Sequence, residues 1–128
     1  MCSFVKNNTD NGYEEYFINN EKKEGIYRSF YKNNNLHIIC NYINNQLEGE
    51  YKMFWGNGQL GKICYYSSNK ITGECNDYYP NGILKSIYNY IDGKKNGCCT
   101  EYYRSGILSF IGIYDNDNII IDRYYMNH

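Results

Sequence analysis

The sequence predicts an all-β fold, an antiparallel meander of β-hairpins repeated every 24 residues. Three observations carry that prediction. First, Gly25, Gly49, Gly73 and Gly97 stand at a fixed step, and whole columns keep it: Leu36, Leu60, Leu84 and Leu108; Ile39, Ile63, Ile87 and Ile111; Tyr42, Tyr66, Tyr90 and Tyr114. A strict period in this range marks an array of supersecondary units. Second, strand formers dominate: the chain has 17 tyrosines and lacks alanine, the best helix former. Third, turn chemistry recurs in phase. Asn57-Gly58, Asn81-Gly82 and Ser105-Gly106 each supply a residue that takes a positive φ, and no segment keeps helical i, i+3, i+4 spacing over three turns.

The units follow in order. Residues 1–24 read as a degraded N-terminal unit, because Tyr16 to Glu24 matches Tyr88 to Asn96 in spacing while Asn7-Asn8 reads as a frayed tail. Residues 25–48 run from Gly25 through Phe30-Tyr31 to Asn33-Asn34-Asn35, which replaces a turn glycine; Asn tolerates that conformation. Residues 49–72 carry Phe54-Trp55 and Gly56-Asn57-Gly58, and residues 73–96 carry Tyr78-Tyr79 and Pro80-Asn81-Gly82. Residues 97–120 carry Tyr102-Tyr103 and Ser105-Gly106. The connection to each following unit is a second turn: Asn44-Asn45, Asp92-Gly93, Asp115-Asn116. Residues 121–128 begin a partial unit without its turn glycine and end in a second frayed tail, Asn127-His128. Atypical end units close the outer edges of a repeat array. Residues 1–128 thus form a single repeat domain, the number that this length accommodates.

The six cysteines fall into the repeat. Cys40 and Cys64 share one column, Cys75 and Cys99 another, and residues of one column lie two strands apart, about 9–10 Å. A disulfide needs Cα atoms within roughly 7 Å, so same-column pairs do not bridge. Cys98 and Cys99 point to opposite faces. There is no C-x-x-C pair, and His37 and His128 are the only imidazoles, so no metal site is expected. The thiols read as small hydrophobes in a reducing compartment.

Adjacent strand residues point to opposite faces, so the column Phe30, Phe54, Tyr78, Tyr102 cannot share a face with Tyr31, Trp55, Tyr79, Tyr103. One ladder, with the Leu and Ile columns, is expected to form the dry side and the other to be partly exposed. Tyr31, Trp55, Tyr79 and Tyr103 are the candidate partner-binding stripe, since Tyr and Trp dominate interface hot spots. The competing reading is a cross-strand stack that only stabilises the sheet.

Composition narrows the function. A net charge of −1 offers no positive groove, so no nucleic acid is expected. No apolar run approaches the ~20 residues of a membrane span, and Met1 to Asp10 lacks a signal-peptide core, so a cytoplasmic protein is expected. The abundance of Asn, Ile, Lys, Tyr and Phe points to an A+T-rich genome. Lys22-Lys23 and Lys94-Lys95 hold one repeat position and leave phospholipid contact as an alternative; rings that cage a small ligand or stack on a carbohydrate are another. His37 shares a column with Gly61, Lys85 and Ser109, which reads as a variable exposed position. No catalytic residue, cofactor or metal ligand is assigned. The expectation is a non-catalytic module that binds a protein partner, or itself as a homodimer, through an aromatic face or an edge strand.

The order of glycine, aromatic pair, turn ending in Gly58, Gly82 or Gly106, then Leu60, Leu84 or Leu108 and a second turn resembles the MORN (membrane occupation and recognition nexus) repeat. The resemblance is to its longer-period variant, seen in bacterial antitoxin-like proteins and in giant DNA viruses, and covers roughly residues 13–125. It implies an elongated, twisted antiparallel sheet of successive hairpins. For function it implies scaffolding, dimerisation and, in some members, lipid contact.

Overall fold

The computed structural model describes residues 1–126; the tail expected at Asn127-His128 lies outside the described residues. One open antiparallel sheet of 15 strands accounts for the fold. The strands are β1 (Cys2–Thr9), β2 (Gly12–Asn19), β3 (Lys22–Lys23), β4 (Gly25–Tyr31), β5 (Leu36–Ile43), β6 (Gln46–Leu47), β7 (Gly49–Phe54) and β8 (Leu60–Ser67). They continue as β9 (Lys70–Ile71), β10 (Gly73–Tyr78), β11 (Leu84–Ile91), β12 (Lys94–Lys95), β13 (Gly97–Tyr102), β14 (Leu108–Asp115) and β15 (Asn118–Tyr124). The long strands lie side by side in chain order, while the short strands β3, β6, β9 and β12 pair with β2, β5, β8 and β11.

Two kinds of turn produce this order. Within a hairpin, Trp55 N donates to Gln59 O at 2.8 Å and Gly58 N to Trp55 O at 2.9 Å, with Gly58 at φ 90°. This is a three-residue loop closed by one left-handed residue; in β8, Gly61 is an extra residue that shifts the register between Met53 and Phe54. Asn34 fills the glycine's place at φ 70°, as its type allows. Between hairpins both turn residues are left-handed: Asn44 (54°) and Asn45 (70°), Ser68 (47°) and Asn69 (70°), Asp92 (53°) and Gly93 (84°). That geometry matches the strand twist. The last such turn is Asn116-Asp117, one residue later than expected, because Asp115 still pairs with Asn118.

The periodic glycines kink a strand. β3 and β4 lie along the same neighbour, β2, and the chain bends between them at Gly25, φ 85°. Gly49, Gly73 and Gly97 repeat this at 86°, 73° and 88°. A Cβ on Gly25, Gly49 or Gly73 would meet nothing within 4 Å, so conformation rather than space demands glycine. At the next step stands Ile121, and there β15 runs unbroken from Asn118 to Tyr124.

The N-terminal unit forms a complete hairpin, and Asn7-Asn8 is not the frayed tail expected. β1 pairs with β2 residue for residue, from Cys2 opposite Asn19 to Thr9 opposite Gly12, and Asn7 and Asn8 sit inside the strand opposite Glu14 and Tyr13. Its polarity hid it: apart from half-buried Val5, every β1 residue is exposed, so neither face carries the apolar alternation that marks a strand.

The dry side also differs from expectation. Register pairs Tyr27 with Cys40, Tyr51 with Cys64, Cys75 with Tyr88 and Cys99 with Gly112, and these share one face, here called inner. Cys40, Cys64, Cys75, Cys99, Ser29, Ser86 and Phe110 are buried there. Phe30, Phe54, Tyr78 and Tyr102 pair with Leu36, Leu60, Leu84 and Leu108 on the opposite, outer face, joined by the Ile column. Those side chains are half-exposed, and Ile111 is 37% exposed. Rings beside small thiols explain the difference: each inner-face tyrosine folds over a neighbour too short to reach solvent, whereas the outer face has side chains of similar size and nothing above them.

Candidate functional site

The predicted stripe lines the inner face near the first turns. Tyr31 Oη donates to Phe54 O at 2.7 Å, Trp55 Nε1 to Tyr78 O at 3.0 Å, Tyr79 Oη to Tyr102 O at 2.7 Å and Tyr103 Oη to Tyr125 O at 2.6 Å. Each ring therefore ties its own repeat to the next, and all four are half-buried. Burial pushes the Tyr31 phenol above its ordinary range. His37 lies against Tyr31, ring centroids 4.4 Å apart, and burial lowers its pKa. Gly61, in the same column, is buried beneath Met53 and Trp55. At His37 and Gly61 the column is thus not the exposed position expected, because the stripe's rings lean over it, whereas Lys85 is exposed.

The opposite row of turns is stitched in the same sense. Asn45 N donates to Lys23 O at 3.0 Å while Asn45 Oδ1 accepts from Lys23 N at 3.0 Å. Asn69 repeats both bonds with Leu47, and Asp117 with Lys95. Beside the first turns, the side-chain amides of Asn57 and Asn81 donate to Pro80 O and Arg104 O at 2.9 and 3.2 Å. Asn57 and Asn81 also accept from the backbone two residues on, at 2.9 and 3.0 Å. None of these asparagine roles was anticipated from the sequence, although their 24-residue spacing was visible in it.

Lys23 and Lys95 do not line an outer edge. Lys23 Nζ sits 4.9, 5.2 and 5.1 Å from the ring centroids of Tyr16, Tyr27 and Tyr42 on the inner face, and Lys95 Nζ sits 4.3 and 5.2 Å from Tyr88 and Tyr114. Tyr27 Oη donates to Glu14 at 2.7 Å, and Tyr88 donates to Glu101. Burial, then the carboxylate bond, pushes both phenols up. Leu47 and Ile71 take the lysine position in the middle repeats.

The outer face carries the aromatic, Leu and Ile columns. Its aromatic and Leu columns form one continuous row across the hairpins, flanked by the Ile column. Phe17, Ile26 and Tyr65 extend the apolar area at 42%, 45% and 42% exposure. Asn76 Oδ1 and Thr100 Oγ1, at equivalent positions beside Ile87, are buried polar atoms without a hydrogen-bond partner among the described residues. Among those residues, no group of three or more His, Cys, Asp or Glu side chains is placed to hold a metal ion.

A scan of family profiles finds the MORN repeat variant at residues 23–44, 47–67, 71–92 and 95–125. The matches begin at Lys23, Leu47, Ile71 and Lys95, each two residues before a kink glycine. No curated protein matches the chain.

Proposed function

Because the chain belongs to the MORN repeat variant family, we propose that it is a non-catalytic interaction module that docks a protein partner along the outer face of its sheet. MORN repeats are generally interaction or membrane-associated modules. The observation that carries the reading is the row of half-buried rings and leucines that runs along the whole array with no second layer of structure above it; a single-layer sheet leaves such a face for another surface to cover. A protein suits this face better than a lipid headgroup. Lys23 and Lys95 are spent over tyrosine rings, and the net charge of −1 gives an anionic surface little to attract. Docking through Tyr31, Trp55, Tyr79 and Tyr103 ranks second, because their polar ends already serve the neighbouring repeat.

Affinity capture from the native source, quantified by mass spectrometry, tests this. A Leu60→Gln/Leu84→Gln variant should keep its strand spectrum and lose its partner on the order of 10- to 100-fold, as hot-spot truncations do. Retention of the partner by that variant, with loss in Trp55→Phe/Tyr79→Phe, would move the site to the stripe. Light scattering of the purified protein distinguishes a second copy from a different partner.

A further inference from the structure

Cys64 on β8 and Cys75 on β10 face each other across two successive repeats. The register places Lys62 opposite Asp77 and Ile63 opposite Asn76, so the next pair is Cys64 and Cys75. Lys62 Nζ lies 3.4 Å from Asp77 Oδ1, and two residues along each strand the cysteines point to that same inner face. Beyond the kink at Gly73, Thr72 N donates to Tyr65 O at 2.8 Å, so the chain leading into β10 is also held to β8. Directly opposed residues on antiparallel strands have Cα atoms about 4.5–5.5 Å apart, inside the roughly 4.4–6.8 Å that a disulfide spans. The other buried thiols lack this arrangement: across the equivalent seams the register sets Cys40 opposite Tyr51 and Cys99 opposite Tyr88. The same-column argument excludes Cys40 with Cys64 and is silent on this cross-column pair.

We propose that Cys64 and Cys75 form an oxidisable dithiol, closed to an intramolecular disulfide by a hydroperoxide and reopened by a thiol. The Cys64 sulfur attacks the O–O bond of hydrogen peroxide; an S–O bond forms, and the departing hydroxide leaves as water with the thiol proton. The Cys75 sulfur then attacks the sulfenic sulfur. The S–S bond forms, the S–O bond breaks, and a second water leaves with the Cys75 proton. Two thiols lose two electrons and two protons, and peroxide is reduced to two waters. The roles are unequal because the Cys75 thiol hydrogen-bonds to the Cys64 sulfur and the Lys62 ammonium stands near, which together favour the Cys64 thiolate and push Cys75 up. The thiols are 0% and 3% exposed, so the small oxidant enters through local opening of this seam. The seam is the weaker kind of pairing. Its ladder has only Ile63–Asn76 and Lys62–Asp77, whereas that of the β7–β8 hairpin runs from Gly49–Tyr66 to Phe54–Leu60. A disulfide there staples two repeats where backbone bonding is thinnest.

The full chain is treated with hydrogen peroxide, alkylated and digested with trypsin without reduction. Cleavage after Lys62, Lys70 and Lys85 separates the two cysteines onto residues 63–70 and 71–85. The proposal expects those peptides to be linked, the link to vanish on adding dithiothreitol and in Cys75→Ser, and Tm to rise by roughly 5–10 °C on oxidation. It is overturned if both peptides stay alkylated and unlinked after exposed Cys2 and Cys98 have been consumed, or if either cysteine pairs elsewhere.

Discussion

The phenol of Tyr79 reaches past its own hairpin to the backbone of the next, and the equivalent rings do the same. Tyr79→Phe keeps the ring and leaves the Tyr102 carbonyl without that donor, so urea unfolding should show a loss of about 1 kcal/mol. Inner-face phenols make a second contribution that is pH-dependent. Burial raises Tyr66 to about 12, and Tyr27 and Tyr88 also lie above their ordinary value. A raised acid pKa stabilises the fold fully below the unfolded value of about 10, and that stability is lost as pH climbs through the folded value. Tm should therefore hold to about pH 10 and fall between about 10 and 12, together with the rise of tyrosinate absorbance. A protein that keeps its Tm through that window would have its phenols exposed. Asparagine shows the limit of residue-scale reading. Its abundance reads as nucleotide bias, yet Asn45, Asn57, Asn69 and Asn81 each hold a turn or the next repeat. Side-chain bonds to a backbone more than 20 residues away leave no mark on local pattern.

The second turns carry the most direct element-scale prediction. At positions 45, 69 and 117 a side-chain oxygen accepts from the backbone of the preceding repeat, and Gly93 has no side chain to do so. A Cβ there would meet Lys70 Cβ at an ordinary 3.8 Å, and Asn tolerates the left-handed φ of 84°. Gly93→Asn should stabilise the protein by about 0.5–1 kcal/mol, from the added bond to Ile71 N and a less flexible unfolded chain. A destabilised variant in thermal melts would show that this turn differs from its three equivalents. Gly12→Ala should do the reverse, because its Cβ would collide with the Phe30 carbonyl oxygen; a loss above about 2 kcal/mol and release of the first hairpin, read by hydrogen exchange, are expected. Strands that repeat were legible because four copies of each column average out chance. β1 was not, since its exposed polar residues have no copy elsewhere and no buried face to set a period.

Across the whole molecule, the hairpin array and its 24-residue step were readable from side-chain columns alone, whereas the sidedness of the sheet was not. Alternation assigns Phe54 and Trp55 to different faces, but nothing in it says which face closes. The outcome turned on volume: cysteine and serine beside tyrosine let the inner face pack down, and leucine beside phenylalanine could not. The docking row follows from that asymmetry, so its leucines, conspicuous as candidate core, are instead the surface on which binding is expected to depend. Strand order has a further consequence. Every long strand pairs only with its neighbours in chain order, so none waits for a partner encoded far downstream. On a ribosome emitting about 5–20 residues per second, each hairpin meets its next partner within seconds of emerging. The sheet is thus suited to assemble from its N-terminal end while the rest is still being made.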